Sequence, residues 1–156
     1  MIVVECYPDE KLVRALGVPR KQIRHEGGKG CVLNKIRESD AGIGLIDEDP
    51  DSHQPRELNQ YAMCNQDDEF GSLRRLTHQK NTAKKIIIIR PRLEEWLLGR
   101  ARASSLNPLD YGLPDNADKL HSLRRYDRKP QFENFLGELR RGDQEVEKLK
   151  SWLTEG

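Results

Sequence analysis

Cysteine is scarce in this chain of 156 residues: it holds three, Cys6, Cys31 and Cys64, an odd number at wide spacing. That pattern supplies neither a disulfide framework nor the paired spacing of a zinc site, so the thiols are expected to be reduced. Aromatic residues make up only 6% of the chain and hydrophobic residues 35%, and the mean hydropathy is -0.83. No apolar run approaches the roughly 20 residues that a bilayer crossing requires. The sequence starts Met-Ile-Val-Val-Glu, with no basic segment leading into an apolar stretch, so no secretory signal is expected. Together these absences predict a cytoplasmic protein with no membrane partner. An excess of one charge is missing as well, since 27 Lys and Arg stand against 26 Asp and Glu for a net charge of +1. Bulk charge therefore argues against a polycation that coats nucleic acid, and leaves room for a local basic face.

The hydrophobicity that is present lies in a few runs: Met1–Val4, Gly42–Ile46, Ile86–Ile89 and Trp96–Leu98. Ile2–Cys6 reads as a strand closed by Glu5, after which Pro8 and Asp9 open a helix over Glu10–Leu16. Gln22–His25 reads as a second strand, Gly27-Gly28-Lys29-Gly30 as a turn, and Cys31–Ile36 as a helix with Val32, Leu33 and Ile36 on one face. Ala41–Ile46 has the continuous apolar character of a buried parallel strand and runs into Asp47-Glu48-Asp49-Pro50-Asp51. Further along, a polar helix over Pro55–Cys64, an edge strand over Leu73–Thr77 and a strand over Ile86–Ile89 are expected. A helix with Pro91 in its first turn follows, then a linker over Ser104–Pro114 and helices over Ala117–Tyr126 and Phe132–Leu153. The alternation predicts an α/β fold with a compact, mostly parallel sheet flanked by helices. Residues 1–103 would form its core, and residues 104–156 a linker and helical extension packed on the same domain.

Ligands of parallel sheets bind at the carboxyl ends of strands, so Glu5 and Asp47, distant in sequence, are expected to meet at one edge. Carboxylates that converge repel one another unless a cation compensates, and Mg²⁺ (or Mn²⁺) accepts one or two carboxylates plus water and phosphate oxygens. Alternate residues of an extended chain project to one side, which adds Asp49 and, through Pro50, Asp51 to the candidate metal ligands. By itself the acidic string also reads as a solvated loop. Calcium suits it less, because Ser52 and Leu58 occupy the positions where a calcium loop needs Gly and Glu. The Lys29 turn could cradle a phosphate, or be only a turn. Arg74, Arg75, Lys80, Lys84 and Lys85 could contact phosphates, or serve as a soluble strand edge. His25, His53, His78 and His121 have no partner at metal-ligand spacing and read as surface or hydrogen-bonded histidines. Trp96 reads as core, and Glu94 as a further ligand if its helix starts beside the carboxyl edge.

An apolar strand ending in Glu5, then Asp9, a Gly-Lys-Gly turn, and a second apolar strand ending in Asp47-x-Asp49 resembles the Toprim domain. That domain is shared by topoisomerases, bacterial primases, recombination-repair proteins and nucleases of the overcoming-lysogenisation-defect family. The resemblance spans Met1–Asp51, with Cys6 standing where family members often have Gly. It implies a Toprim-like fold in which Glu5 acts as general acid/base or metal ligand and Asp47 and Asp49 coordinate Mg²⁺ during phosphodiester chemistry on DNA or RNA. The length leaves no room for a topoisomerase cleavage domain, which points to a small nuclease. A non-catalytic Toprim-like module that binds nucleic acid or a protein partner is the alternative. A flavodoxin-like or receiver-type domain whose acidic residues bind Mg²⁺ for phosphorylation is a third reading, weakened because Arg90 rather than Lys follows Ile86–Ile89.

Overall fold

A computed structural model describes residues 1–155. The first strand, β1 (Ile2–Val4), leads into helix α1 (Tyr7–Ala15), and β2 (Ile23–His25) into α2 (Lys29–Arg37), which returns the chain to β3 (Gly42–Asp47). β2 and β3 lie on opposite sides of β1, both parallel to it. The chain thus reverses its winding direction at β1, the topological switch point at which parallel sheets open a crevice. Short strands β4 (Tyr61–Ala62) and β5 (Glu69–Phe70) come next, then β6 (Leu73–His78) and β7 (Lys84–Ile89). β7 adds to β3 in parallel, while β6 pairs antiparallel with β7 and carries β4 and β5 on its outer side.

The molecule is therefore α/β with a mixed seven-stranded sheet, parallel on the β2-β1-β3-β7 side and antiparallel beyond it. β6 is not the expected edge strand, because β4 and β5 satisfy much of its outer backbone. The polar helix expected over Pro55–Cys64 is replaced by a 3-10 turn at Arg56–Gln60 and by β4.

Side-chain alternation divides the core between the two faces. Val3, Ile46 and Ile86 pack under Val32, Leu33 and Ile36 of α2. Gly44 permits that approach, since a Cβ there would stand 2.8 Å from Ile86 Cδ1 and 2.9 Å from Val32 Cγ1. On the other face Val4, Leu45, Ile87 and Ile89 join Leu12 and Val13 of α1. They also meet Trp96 and Leu97 of α3 (Leu93–Ala103), Phe132 and Phe135 of α5 (Pro130–Gly142), and Leu149 and Trp152 of α6 (Gln144–Thr154). Residues beyond 103 thus contribute to the same buried cluster as the sheet. Their segments are more ordered than a plain linker, with Pro108 and Leu113 buried and a short helix α4 at Ala117–Ser122.

Several helix boundaries differ from expectation: α1 opens at Tyr7 rather than Glu10, α2 at Lys29 rather than Cys31, and α4 ends at Ser122 rather than Tyr126. α3 begins at Leu93, after a cis Arg90–Pro91 peptide, so Pro91 precedes the helix. The expected long C-terminal helix is broken at Asp143, whose carboxylate accepts from the Val146 N–H at 3.0 Å and caps α6. Among the described residues no helix is long and apolar enough to cross a membrane.

Candidate functional site

Glu5 is the first residue beyond β1, and Asp47 is the last residue of β3. Because Val4 lies opposite Leu45 in the parallel register, both carboxylates leave the sheet at its carboxyl edge. They are linked directly, the Asp47 N–H donating to Glu5 Oε2 at 2.7 Å. Past Cys6 the chain enters α1, and Asp9 in its first turn is 1% exposed. A fourth carboxylate, Glu94, comes from the first turn of α3 and is also buried.

Burial raises the pKa of Asp47, and the charges of Asp9 and Glu5 push it further against a backbone N–H from Leu93. Asp9 is raised by burial and by Glu5, with Glu94 adding to both aspartates. Glu5 is raised by burial, opposed by the Asp47 N–H and the charge of Lys29. The Cys6 thiol, pushed up by burial and by Asp9, stays protonated. Oδ1 of Asp9 and Oδ1 of Asp47 are buried with no hydrogen-bond partner among the described residues. An unsatisfied buried acceptor of this kind costs about 1–3 kcal/mol. A proton or a cation would relieve it.

The donor chemistry fits a hard divalent cation, since every candidate ligand is a carboxylate oxygen. The arrangement is open, however. Among the described residues no group of three or more His, Cys, Asp or Glu side chains is placed to hold a metal ion. Any ion held there would take most of its ligands from water or from a bound molecule.

Glu94 is anchored from its far side. The Tyr126 hydroxyl donates to Glu94 Oε2 at 2.6 Å, and His121 Nδ1 lies 3.0 Å from Oε1. Burial and the Glu94 charge together push the Tyr126 phenol far up, so it remains a donor.

Several expected site residues lie elsewhere. The chain does not stay extended through the acidic string: Asp49 has φ +42° and begins a turn, so Asp51 is exposed and leaves the series. Asp49 is still close enough for its charge to act on Glu5. The Lys29 ammonium does not stand free for a phosphate. It donates to Glu48 O at 2.7 Å and Gln54 Oε1 at 3.1 Å, pinning the loop after β3. Arg74 pairs with Glu69 at 3.2 Å, and Arg75 with Asp68 at 2.8 Å while lying over Trp152. Lys84 and Lys85 start β7 opposite Gly42 and Ile43. At about 3.3 Å per residue they stand on the order of 16 Å from the carboxyl edge. Trp96 is core, its indole N–H donating to Glu145 at 3.2 Å.

Asp9, expected only as a position of the Toprim resemblance and not as a ligand, has a burial that local spacing shows, while its meeting with Glu5 and Asp47 is a matter of packing. It precedes Leu12, Val13 and Leu16 by three, four and seven residues, the spacing of one helical face, so a carboxylate on the buried stripe was already visible. The Glu94–Tyr126–His121 contacts join residues about 30 apart through tertiary packing, and no local pattern announces them. Compared with protein-family models, with curated proteins and with solved structures, the chain finds no match.

Proposed function

We propose that the carboxyl edge binds a divalent cation, Mg²⁺ or Mn²⁺, and that the protein carries out metal-dependent phosphodiester chemistry on DNA or RNA as a small Toprim-like nuclease. The observation that carries this reading is the pair of buried carboxylate oxygens on Asp9 and Asp47 that lack a partner among the described residues, beside Glu5 at the switch point of the sheet. Glu5 and Asp47 would hold the ion. The chemistry supplied by a cation held there would be polarisation of phosphoryl oxygens and a lowered pKa of bound water. The chain's own groups prepare the site: the Asp47 N–H orients Glu5, Lys29 fixes the 48–54 loop, and Tyr126 holds Glu94 beside the aspartates. The cytoplasmic setting expected from the sequence belongs to the same proposal.

A second reading, a non-catalytic module of the same fold, is favoured by the engagement of Lys29 with its own loop rather than with a ligand. Incubation of supercoiled plasmid and single-stranded oligonucleotides with Mg²⁺ or Mn²⁺ separates the two. Cleavage that disappears in Glu5→Ala and Asp47→Ala supports the nuclease, and cleavage that persists in both variants sinks it. Mn²⁺ binding by calorimetry without cleavage selects the module. Unchanged Mn²⁺ affinity in both variants removes the metal from either reading.

A further inference from the structure

A second charged feature lies next to the acidic edge and plays no part in holding a cation. Tyr7 follows Glu5 by two residues, opens α1 and is 42% exposed. From it a groove runs along the outer side of α1 in two connected parts of about 390 and 640 Å³, which share Tyr7, Glu10 and Arg20. Five basic side chains line the first part: Lys11, Arg14, Arg20, Arg125 and Arg128. Lys21 and Arg24 add two more in the second. The acidic residues among them are Glu10 and Asp127. For a chain whose net charge is +1, this is a strong local concentration.

The cations are not used up internally. Arg125 is paired with Asp127 at 3.0 Å, and Arg20 reaches Glu10 only at 3.8 Å. Arg14, Lys21, Arg24 and Arg128 make no ion pair or side-chain hydrogen bond among the described residues, and all four are exposed. The groove is also held in shape. The Arg125 guanidinium lies 3.8 Å over the Tyr7 ring, whose other neighbour, His25, stacks at 4.2 Å. Arg125 holds this place with φ +53°, a left-handed conformation that costs a non-glycine residue roughly 1 kcal/mol or more. His25 ends β2 opposite Val4, so the stack caps the carboxyl edge itself.

We propose that this groove binds the phosphodiester backbone of a nucleic-acid strand and leads it to Glu5 and Asp47. The inference rests on the proposed function, and it replaces Lys84, Lys85, Arg74 and Arg75 with Arg14, Lys21, Arg24 and Arg128 as the phosphate-binding residues. Exposed arginines spaced along a groove neutralise successive phosphates without reading sequence, which makes affinity salt-dependent and sequence-tolerant. The Arg125–Tyr7–His25 stack keeps the basic wall ordered where it meets the carboxylates.

The test is fluorescence anisotropy of a labelled 20-nucleotide single strand, as DNA and as RNA, titrated with the full chain in EDTA across a salt series. EDTA keeps the measurement independent of metal and cleavage. An Arg14→Ala/Arg128→Ala double variant is expected to bind about 10-fold or more weakly. The slope of log affinity against log salt should fall by about 1.4, because each of the two phosphates left without its arginine accounts for about 0.7 on a single strand. Lys84→Ala/Lys85→Ala is expected to bind as the parent does, and circular dichroism confirms that each variant is folded. Equal weakening by the two double variants, no effect of the groove variant, or no binding by the parent overturns the groove. The cleavage and Mn²⁺ assays above are unaffected by any of these outcomes and decide the metal-nuclease reading separately.

Discussion

Replacing Asp47 with Asn should make the protein more stable while removing the divalent-ion binding proposed above. Asp47 Oδ1 is buried without a partner among the described residues, and Asp9 and Glu5 both oppose its ionisation. The amide keeps the shape, is neutral at every pH and can donate to either neighbouring carboxylate. At pH 8 the folded protein, with the Asp47 pKa pushed up to about 9, holds a proton that the unfolded chain has released. An unsatisfied buried acceptor costs about 1–3 kcal/mol, so a gain of about 2 kcal/mol is expected at that pH in EDTA. For a chain of this size that corresponds to a rise in Tm of about 4–8 °C. The sign with pH follows from the direction of the shift. The folded-state pKa of Asp47 lies above its ordinary value of 3.8, so the folded protein holds the proton more tightly than the unfolded chain. The stability associated with that proton is complete below pH 3.8 and is lost as pH rises through the raised value. The variant lacks this loss, so its advantage should be small near pH 4 and grow towards pH 8. Adding Mn²⁺ at 100 times its Kd should then stabilise the parent by about 2.7 kcal/mol, leave the variant unchanged and bring the two close together. Differential scanning fluorimetry over a pH series, with and without Mn²⁺, measures all of this. A variant less stable than the parent at pH 8 in EDTA would refute the reasoning, as would a stability gap that does not change with pH.

Two further perturbations test other parts of the structure. Gly71→Ala should cost about 3 kcal/mol in urea unfolding. Its Cβ would meet Glu145 Cδ at 2.5 Å in a backbone with φ +57°, and Glu145 is tethered by the Ser72 N–H, the Trp96 indole and Arg100. A midpoint within error of the parent would show that this tether yields freely. Lys29→Ala should speed amide exchange across residues 48–54, because the ammonium joins Glu48 O to Gln54 Oε1. Global stability should change by less than about 0.5 kcal/mol, as is usual for a change at an accessible position. Unaltered protection in that loop would show that the turn at Asp49 holds it without the lysine.

Much of the framework was legible because it depends on local patterns. The runs Ile2–Val4, Gly42–Ile46 and Ile86–Ile89 announce parallel strands, and Leu12, Val13 and Leu16 announce the buried face of α1. The break between α5 and α6 was also written locally, in Gly142 followed by the capping residue Asp143, and only the long run of charged pairs obscured it. β4 and β5 were not legible. Each is two residues long and is a strand only because β6 pairs with it. The same holds for the loop after β3, where alternation predicted an extended acidic string and a left-handed Asp49 bent it.

The apolar runs alone say which carboxylates stand at the ends of strands, and the alternation of strands and helices puts Glu5 and Asp47 on a shared edge. Strand periodicity and parallel register are short-range properties, so a linear reading reaches them. Long-range packing brings Asp9 and Glu94 to that edge, keeps Asp51, Lys84 and Lys85 away from it, and leaves arginines without an ion pair among the described residues in the groove beside α1. Those outcomes depend on which helix covers which face and on where the chain turns between elements. Such choices arise from packing between residues far apart in sequence, and no local window contains them.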